Sequence, residues 1–396
     1  MESIFLRFAV VFVFVADGTV IANEVMRRGS PGRILSVATA TGELLLVGKM
    51  IACTEGRTMT VKLSKKSGLW IGAGVLLIAM LASIPLSCST NKGHITIGIQ
   101  TSPAMALVMV AKDKQFFDQE GLNVELKEFT AGKFALQAFL GGSLDFAVAG
   151  EVPVTLASLQ GSDFTVISQV VEKTTNEVRV VARKEEGIAD ATSYFKKKKR
   201  KLATSFGGGP EFFTYNFLKK HGIASNEVEI ISQSPQDMPA ALVNGSVDAV
   251  SIFDPFAFIA EKQMGNNGVT FAEPNIYSEL YVITASRDTV EKRRETVDGI
   301  LRALVKAQEF IQTNPAEAKA IVIKYTKLDP SVVDGIWSNF SFAAALNQRL
   351  LDYQNQEAAW AKENGTVPAN TATPDFRQRI VEAPLKSIKP DAVQLP

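Results

Sequence analysis

The sequence predicts an α/β fold of two similar lobes, each a mostly parallel sheet flanked by helices, with two crossover strands as the hinge. Three observations carry this. A unit is repeated within the chain, each copy alternates apolar strands with helices, and the turns between them are marked by glycine or by a capping residue before proline. Strands alternating with helices imply parallel sheets covered on both faces.

The repeat comes first in the argument. ALQAFLGGSLDFAVAGEVP, from Ala135, answers MPAALVNGSVDAVSIFDPF, from Met238. Asp145 aligns with Asp248 at an offset of 103 residues (248 less 145). The same offset pairs Ala138 with Ala241, Gly142 with Gly245, Ser143 with Ser246 and Glu151 with Asp254. Upstream, FFDQEGLNVEL from Phe116 parallels FLKKHGIASNEVEII from Phe217, each a helix closed by glycine before an apolar strand.

Strands are therefore expected at 95–100, 124–129 and 146–149 in the first copy, with helices from near Pro103, Lys133 and Val152. In the second copy they fall at 202–205, 228–231 and 249–253, with helices from near Pro210, Gln236 and Pro255. The crossovers belong near 178–183 and 280–286, so the first lobe takes 95–182, the second 183–279, and 280–396 returns to the first. Right-handed connections put every strand-to-helix turn on one sheet edge. Small ligands bind at that edge, and two such edges facing across a hinge make a cleft.

The chemistry of that cleft is set by its turns. Ser102-Pro103, Gly209-Pro210, Ser234-Pro235 and Asp254-Pro255 all start helices. Such starts expose backbone N–H groups and a partial positive charge, so several together suit an oxyanion without a fixed cation. Any one of them is equally explained as helix capping. The candidate ligand-binding residues are Thr101, Ser102, Gly132, Gly150, Glu151, Gly207, Gly208, Gly209, Ser234 and Asp254. Glu151 and Asp254 stand at equivalent helix starts, either capping them or holding an amine of the ligand. Gly207-Gly208-Gly209 allows close backbone approach, or is an ordinary turn; no phosphate-loop pattern accompanies it.

Inventory excludes several classes. Lys and Arg number 42 against 41 Asp and Glu, which gives no signal for nucleic acid. Two histidines (His94, His221) and two cysteines (Cys53, Cys88) leave no metal cluster, disulfide framework or histidine-based catalytic set, and no cofactor motif is present. The run Lys196–Lys201 reads as a solvated face, the segment 293–325 as an amphipathic helical region packed on lobe one, and Trp337 and Trp360 as packing residues.

Ahead of the repeat, residues 59–87 read as a signal peptide: Lys62, Lys65 and Lys66, an apolar run from Leu69 to Leu86, then Cys88 and a polar stretch. Cys88 is then the lipidation site, with 88–94 the tether. Pro85 stands where an aliphatic residue is usual, and an uncleaved membrane helix is the alternative. A signal belongs at an amino terminus, so 1–58 is expected to be a mis-assigned extension, or else a second membrane segment.

The order of AKDKQFFDQEGLNVEL, LGGSLDFAVAGEVP, ALVNGSVDAVSIFDPF, SRDTVEKRRETVDGILRALVKAQEFIQTNPAEAKAIV and IVEAPLKSIKPDAV resembles the nitrate, sulfonate, taurine and pyrimidine-precursor branch of the ABC-transporter substrate-binding proteins. The resemblance implies the type II periplasmic-binding-protein fold and an exported, lipid-anchored monomer without catalysis. It further implies a small polar ligand and, as partners, an ABC permease with its cytoplasmic ATPase. A taurine-like or alkanesulfonate ligand is the first expectation; a pyrimidine precursor or nitrate is the alternative. Two other classes stay open: a biosynthetic enzyme of this fold, whose histidine and cysteine motifs this chain lacks, and a ligand sensor presented to a separate receptor.

Overall fold

A computed structural model describes residues 93–395, apart from 174–176, 189 and 275, together with four short strands nearer the amino terminus. The chain divides into two units, Met1–Cys88 and Ser89–Pro396. In the first, Phe14–Ala16 pairs antiparallel with Thr19–Ile21, and Lys49–Ile51 with Thr58–Thr60. The apolar run from Leu69 and Cys88 lie outside the described residues. Among the described residues no helix is long and apolar enough to cross a membrane.

The second unit carries strands β1 (His94–Gln100), β2 (Asn123–Phe129), β3 (Phe146–Gly150), β4 (Thr165–Lys173), β5 (Val178–Arg183), β6 (Arg200–Thr204), β7 (Val228–Ser232), β8 (Ala249–Phe253), β9 (Gly268–Phe271), β10 (Leu280–Ala285), β11 (Phe340–Asn347) and β12 (Val393–Gln394). They form two sheets. The first has the order β12-β11-β4-β10-β3-β1-β2, the second β7-β6-β8-β5-β9. In both, the first strand of the repeat (β1, β6) sits between its two parallel partners (β2 and β3, β7 and β8). In both, the next strand outward is antiparallel and comes over from the other lobe: β10 joins β3, and β5 joins β8. A strand entering from the opposing lobe starts at the cleft edge, where the parallel strands end, so it runs against them. The sheets are therefore parallel at their centres and mixed overall.

Burial explains the apolar runs. β3 and β8 are buried along their whole length, as strands covered on both faces are. The repeated Gly-Ser-x-Asp is a helix stop joined to a strand clasp. Gly142 (φ 76°) and Gly245 (φ 82°) take the left-handed turn that glycine allows. Ser143 N–H then donates to Ala138 O and Ser246 N–H to Ala241 O. Asp145 accepts from Thr96 N–H at 2.9 Å, and Asp248 from Lys201 N–H at 2.9 Å. Both aspartates thus fasten the start of the central strand, at the edge away from the cleft.

The chain leaves the first sheet after Lys173 and returns at Leu280. The two crossing segments lie side by side: Lys173 N–H donates to Glu279 O at 2.9 Å, and the Ser278 hydroxyl to Lys173 O. The segment expected as one helical region is two helices, Arg294–Thr313 and Pro315–Thr326, broken at Asn314-Pro315. Arg302 and Lys306 both pair with Glu120 of lobe one. In the Lys196–Lys201 run, Lys196 to Lys199 are exposed, while Arg200 is buried against the Tyr194 ring.

Candidate functional site

Three helices start at the cleft edge without a side-chain cap: Gly132–Leu140 after Ala131, Glu151–Leu159 after Gly150, and Gly209–Lys220 after Gly208. The first two belong to lobe one and the third to lobe two. Gly132 N–H donates to Gln100 Oε1 at 3.2 Å. The Tyr281 hydroxyl donates to the same oxygen at 2.7 Å, which fixes the amide and leaves the buried Gln100 Nε2 without a partner.

Lys133, the second residue of its helix, reaches across to lobe two. Its Nζ donates to Ser205 Oγ at 3.1 Å and to Phe206 O at 2.6 Å. Both acceptors are neutral oxygens, and burial holds this lysine below its usual range. Glu211 lies nearby, accepting from Gly207 N–H at 2.6 Å, and burial pushes its carboxyl up. Phe134 and Phe206 flank the bridge, 40% and 41% exposed. The turns were expected to act without a fixed cation; Lys133 stands beside them.

Behind this edge lies a dry ionic cluster on the two crossing segments. Lys173 Nζ pairs with Glu177 at 2.7 Å and with Glu279, and stands 4.6 Å from the centre of the Tyr281 ring. Burial dominates the Glu177 carboxyl and raises it to about 8 despite the Lys173 charge. Glu279 lies close to two of the helix starts, where a side chain would force its carboxylate to shift. A methyl group on Gly150 would sit 3.0 Å from its Oε1, and one on Gly209 2.6 Å from it.

The sequence-predicted residues fall into three groups. Gly132, Gly150, Gly208 and Gly209 meet at the uncapped helix starts, with Gly207 in the adjoining turn (φ 73°). Thr101 and Ser102 lie beside them: Thr101 N–H donates to Phe129 O, and Ser102 caps the short helix Pro103–Met105. Ser234 is exposed at the start of Pro235–Asp237, and its side chain makes no capping bond.

Glu151 and Asp254 are equivalent, as the repeat requires, and both are 0% exposed. Each ties its helix start to a crossing segment. Glu151 accepts from Leu280 N–H at 2.8 Å and from the Tyr277 hydroxyl. Burial, then the Glu357 and Glu279 charges, push its carboxyl well above the usual range. Asp254 pairs with Arg179 at 3.0 Å and accepts from Asn339 at 2.8 Å and from Phe258 N–H at 3.2 Å. The Asp254–Pro255 peptide is cis, and the helix begins at Phe256 rather than at the proline.

Gln100, Lys133, Lys173, Glu177, Tyr277, Glu279 and Glu357 were missed by sequence reasoning. For Lys133 the signal was present, since a helix was expected to start near it. For Lys173, Glu177, Tyr277 and Glu279 the sequence held none, because the ends of the crossing segments carry no turn pattern, and neither Gln100 on a repeat strand nor Glu357 within a helix is marked by any motif.

The model of the NMT1-like family matches residues 89–325. A relative from Bacillus subtilis (strain 168), provisionally named an aliphatic sulfonates-binding protein, is 26% identical over 279 residues, 67% of this chain and 82% of the relative. The periplasmic aliphatic sulphonate binding protein SsuA from Escherichia coli superposes with a TM-score of 0.61 at 23% identity, covering 73% of this chain and 92% of that one. The alkanesulfonate-binding protein SsuA from Xanthomonas axonopodis pv. citri, bound to MOPS, gives 0.63 at 20% identity, covering 73% and 98%. These neighbours share the two-lobed binding-protein fold, and with the family match they settle where the chain stands: it belongs to the NMT1-like family.

Proposed function

We propose that this chain is the substrate-binding component of an ABC importer, and that its interlobe cleft captures a small organosulfonate. The observation that carries the reading is the Lys133 bridge between lobes, set among three uncapped helix starts. A sulfonate there takes the backbone N–H of Gly209, a charge-assisted bond from Lys133 and the free N–H of Gln100 Nε2. Entering between Lys133 and Ser205, it would hold both lobes, so the closed state forms around ligand. Relatives named for aliphatic sulfonates support the substrate class.

Thr101, Ser102, Gly150, Gly207, Gly208 and Ser234 line this site in the same proposal. Asp254 acts on the hinge, since its oxygens are taken by Arg179, Asn339 and Phe258. Export, lipid anchoring at Cys88 and delivery to a permease belong to the proposal as well. A ligand sensor presented to a separate receptor would use the same cleft.

A thermal-shift screen of the full chain tests the reading. At about 100 times its Kd a ligand adds about 2.7 kcal/mol, a shift of several degrees. Ethanesulfonate, propanesulfonate or taurine should give that shift. No shift with any sulfonate, alongside one with nitrate or an aminopyrimidine, would replace the substrate class.

A further inference from the structure

Residues 196–201 read KKKKRK, and the cleft makes no use of them. The run begins in the last turn of the helix Ala191–Lys197 and ends in the first residues of β6. It therefore lies on the outer edge of lobe two, where the central strand starts, away from the cleft. Lys196, Lys197, Lys198, Lys199 and Lys201 are exposed. Arg200 turns inward, onto the Tyr194 ring and to Glu185.

The acids at this edge already have partners. Glu185 pairs with Lys197 and Arg200. Asp248 accepts from Lys201 N–H, and Glu229 stands 4.0 Å from Lys201 Nζ. Asp190 accepts from Ser193 N–H and Glu227 from Ala224 N–H. Among the described residues no ion pair reaches Lys196, Lys198 or Lys199. The helix Gly209–Lys220 brings a second basic end to the same edge. Its Lys219 and Lys220 are exposed and pair with Glu363 and Glu273. Lys196 Nζ lies 3.9 Å from where a methyl group on Gly222 would sit, just past that helix.

A helix dipole explains lysines in a last turn, which covers Lys196, Lys197, Lys219 and Lys220. It does not explain Lys198, already in extended chain (φ −156°, ψ 156°), or Lys199 after it. The kind of charge selects the partner. A row of ammonium groups, with the guanidinium turned in, suits a diffuse anionic surface rather than a bidentate contact. Tyr194 and Phe195 beside it are buried, so no stacking platform for nucleic-acid bases accompanies the charge. The whole chain is near neutral, with 42 basic residues against 41 acidic, so this edge holds a local excess. Both readings of residues 59–88 given above, a lipidated Cys88 or a retained membrane helix, hold the chain beside a bilayer.

We propose that Lys196, Lys198 and Lys199 hold the outer edge of lobe two against anionic lipid headgroups of that bilayer. The inference goes beyond the reading of the cleft and does not depend on which ligand the cleft takes. Each lysine near such a surface strengthens binding about fivefold, so the three together supply about 100-fold. The attraction decays over about 8 Å at physiological salt, which is why lysines on the outermost edge carry it.

The test is co-sedimentation of the full chain with vesicles of phosphatidylcholine, alone or mixed equally with phosphatidylglycerol. At low salt the wild-type chain should bind the anionic vesicles about 100-fold more tightly than the triple variant Lys196→Gln, Lys198→Gln, Lys199→Gln, and about 1 M salt should remove the difference. The variant Lys196→Arg, Lys198→Arg, Lys199→Arg keeps the charge and should bind as the wild type does. Where the apolar run inserts and holds every protein on both vesicles, amine labelling decides. Phosphatidylglycerol vesicles should protect the three lysines from a water-soluble acetylating reagent, and phosphatidylcholine vesicles should not. Equal affinity of wild type and glutamine variant in reversible binding, or equal labelling on the two kinds of vesicle, would overturn the proposal. Protection by polyglutamate but not by anionic vesicles would overturn it too, and would assign the edge to an acidic protein partner.

Discussion

Lys173 shows what single residues do in this hinge. It is fully buried, and its ammonium group pairs with both Glu177 and Glu279. Removing one member of such a cluster strands the other charges in a dry site, a loss of about 3–5 kcal/mol. Lys173→Met should lower the unfolding free energy by that amount, read from equilibrium unfolding in urea; a loss under about 1 kcal/mol would mean that water reaches the cluster. Glu151 and Asp254 teach the complementary lesson. Their equivalence was legible, because the repeat aligns them. Their partners were not: Leu280 N–H lies 129 residues from Glu151, and no local pattern announces a contact of that range. Helix-start acids look alike in sequence whether they face a ligand or a crossing strand.

At the scale of elements, the crossing segments and the carboxyl-terminal helix carry acids whose ionisation follows from their packing. Glu177 and Glu357 are both raised from 4.5 to about 8 in the folded chain. Between those values the folded protein holds protons that the unfolded chain gives up. Their contribution is therefore full below about pH 4.5, falls as pH rises, and is gone above about pH 8, by up to about 1.4 kcal/mol per pH unit for each group. Melting temperature should fall from pH 6 to pH 8; a flat or rising profile would show that these carboxyls are ionised in the fold. Elements themselves were legible where pattern and punctuation agreed. β3 and β8 are short apolar runs, and all six strands of the repeat, β1, β2, β3, β6, β7 and β8, were expected within two residues of their bounds. β4 and β11 went unread. TVISQVVEK mixes polar and apolar residues on a strand buried on both faces, and FSFAAALN carries three alanines that suit a helix as well.

For the whole molecule, duplication explains why two lobes with the same strand order face one another. It gives each lobe a start of the same kind, and each lobe lends the other an antiparallel strand through the hinge. The lobes then meet through Lys133 on one side of the cleft and through Phe212 and Trp360 deeper in. Closing these contacts around a ligand is the event a transporter could read. The most direct test of that account is a calorimetric titration of the full chain and of Lys133→Ala with ethanesulfonate. One ligand per chain is expected, with affinity reduced about 10- to 100-fold in the variant, as loss of a charge-assisted hydrogen bond dictates. Equal affinity in the two proteins would contradict the account, because the sulfonate would then lie elsewhere than between the lobes at Lys133.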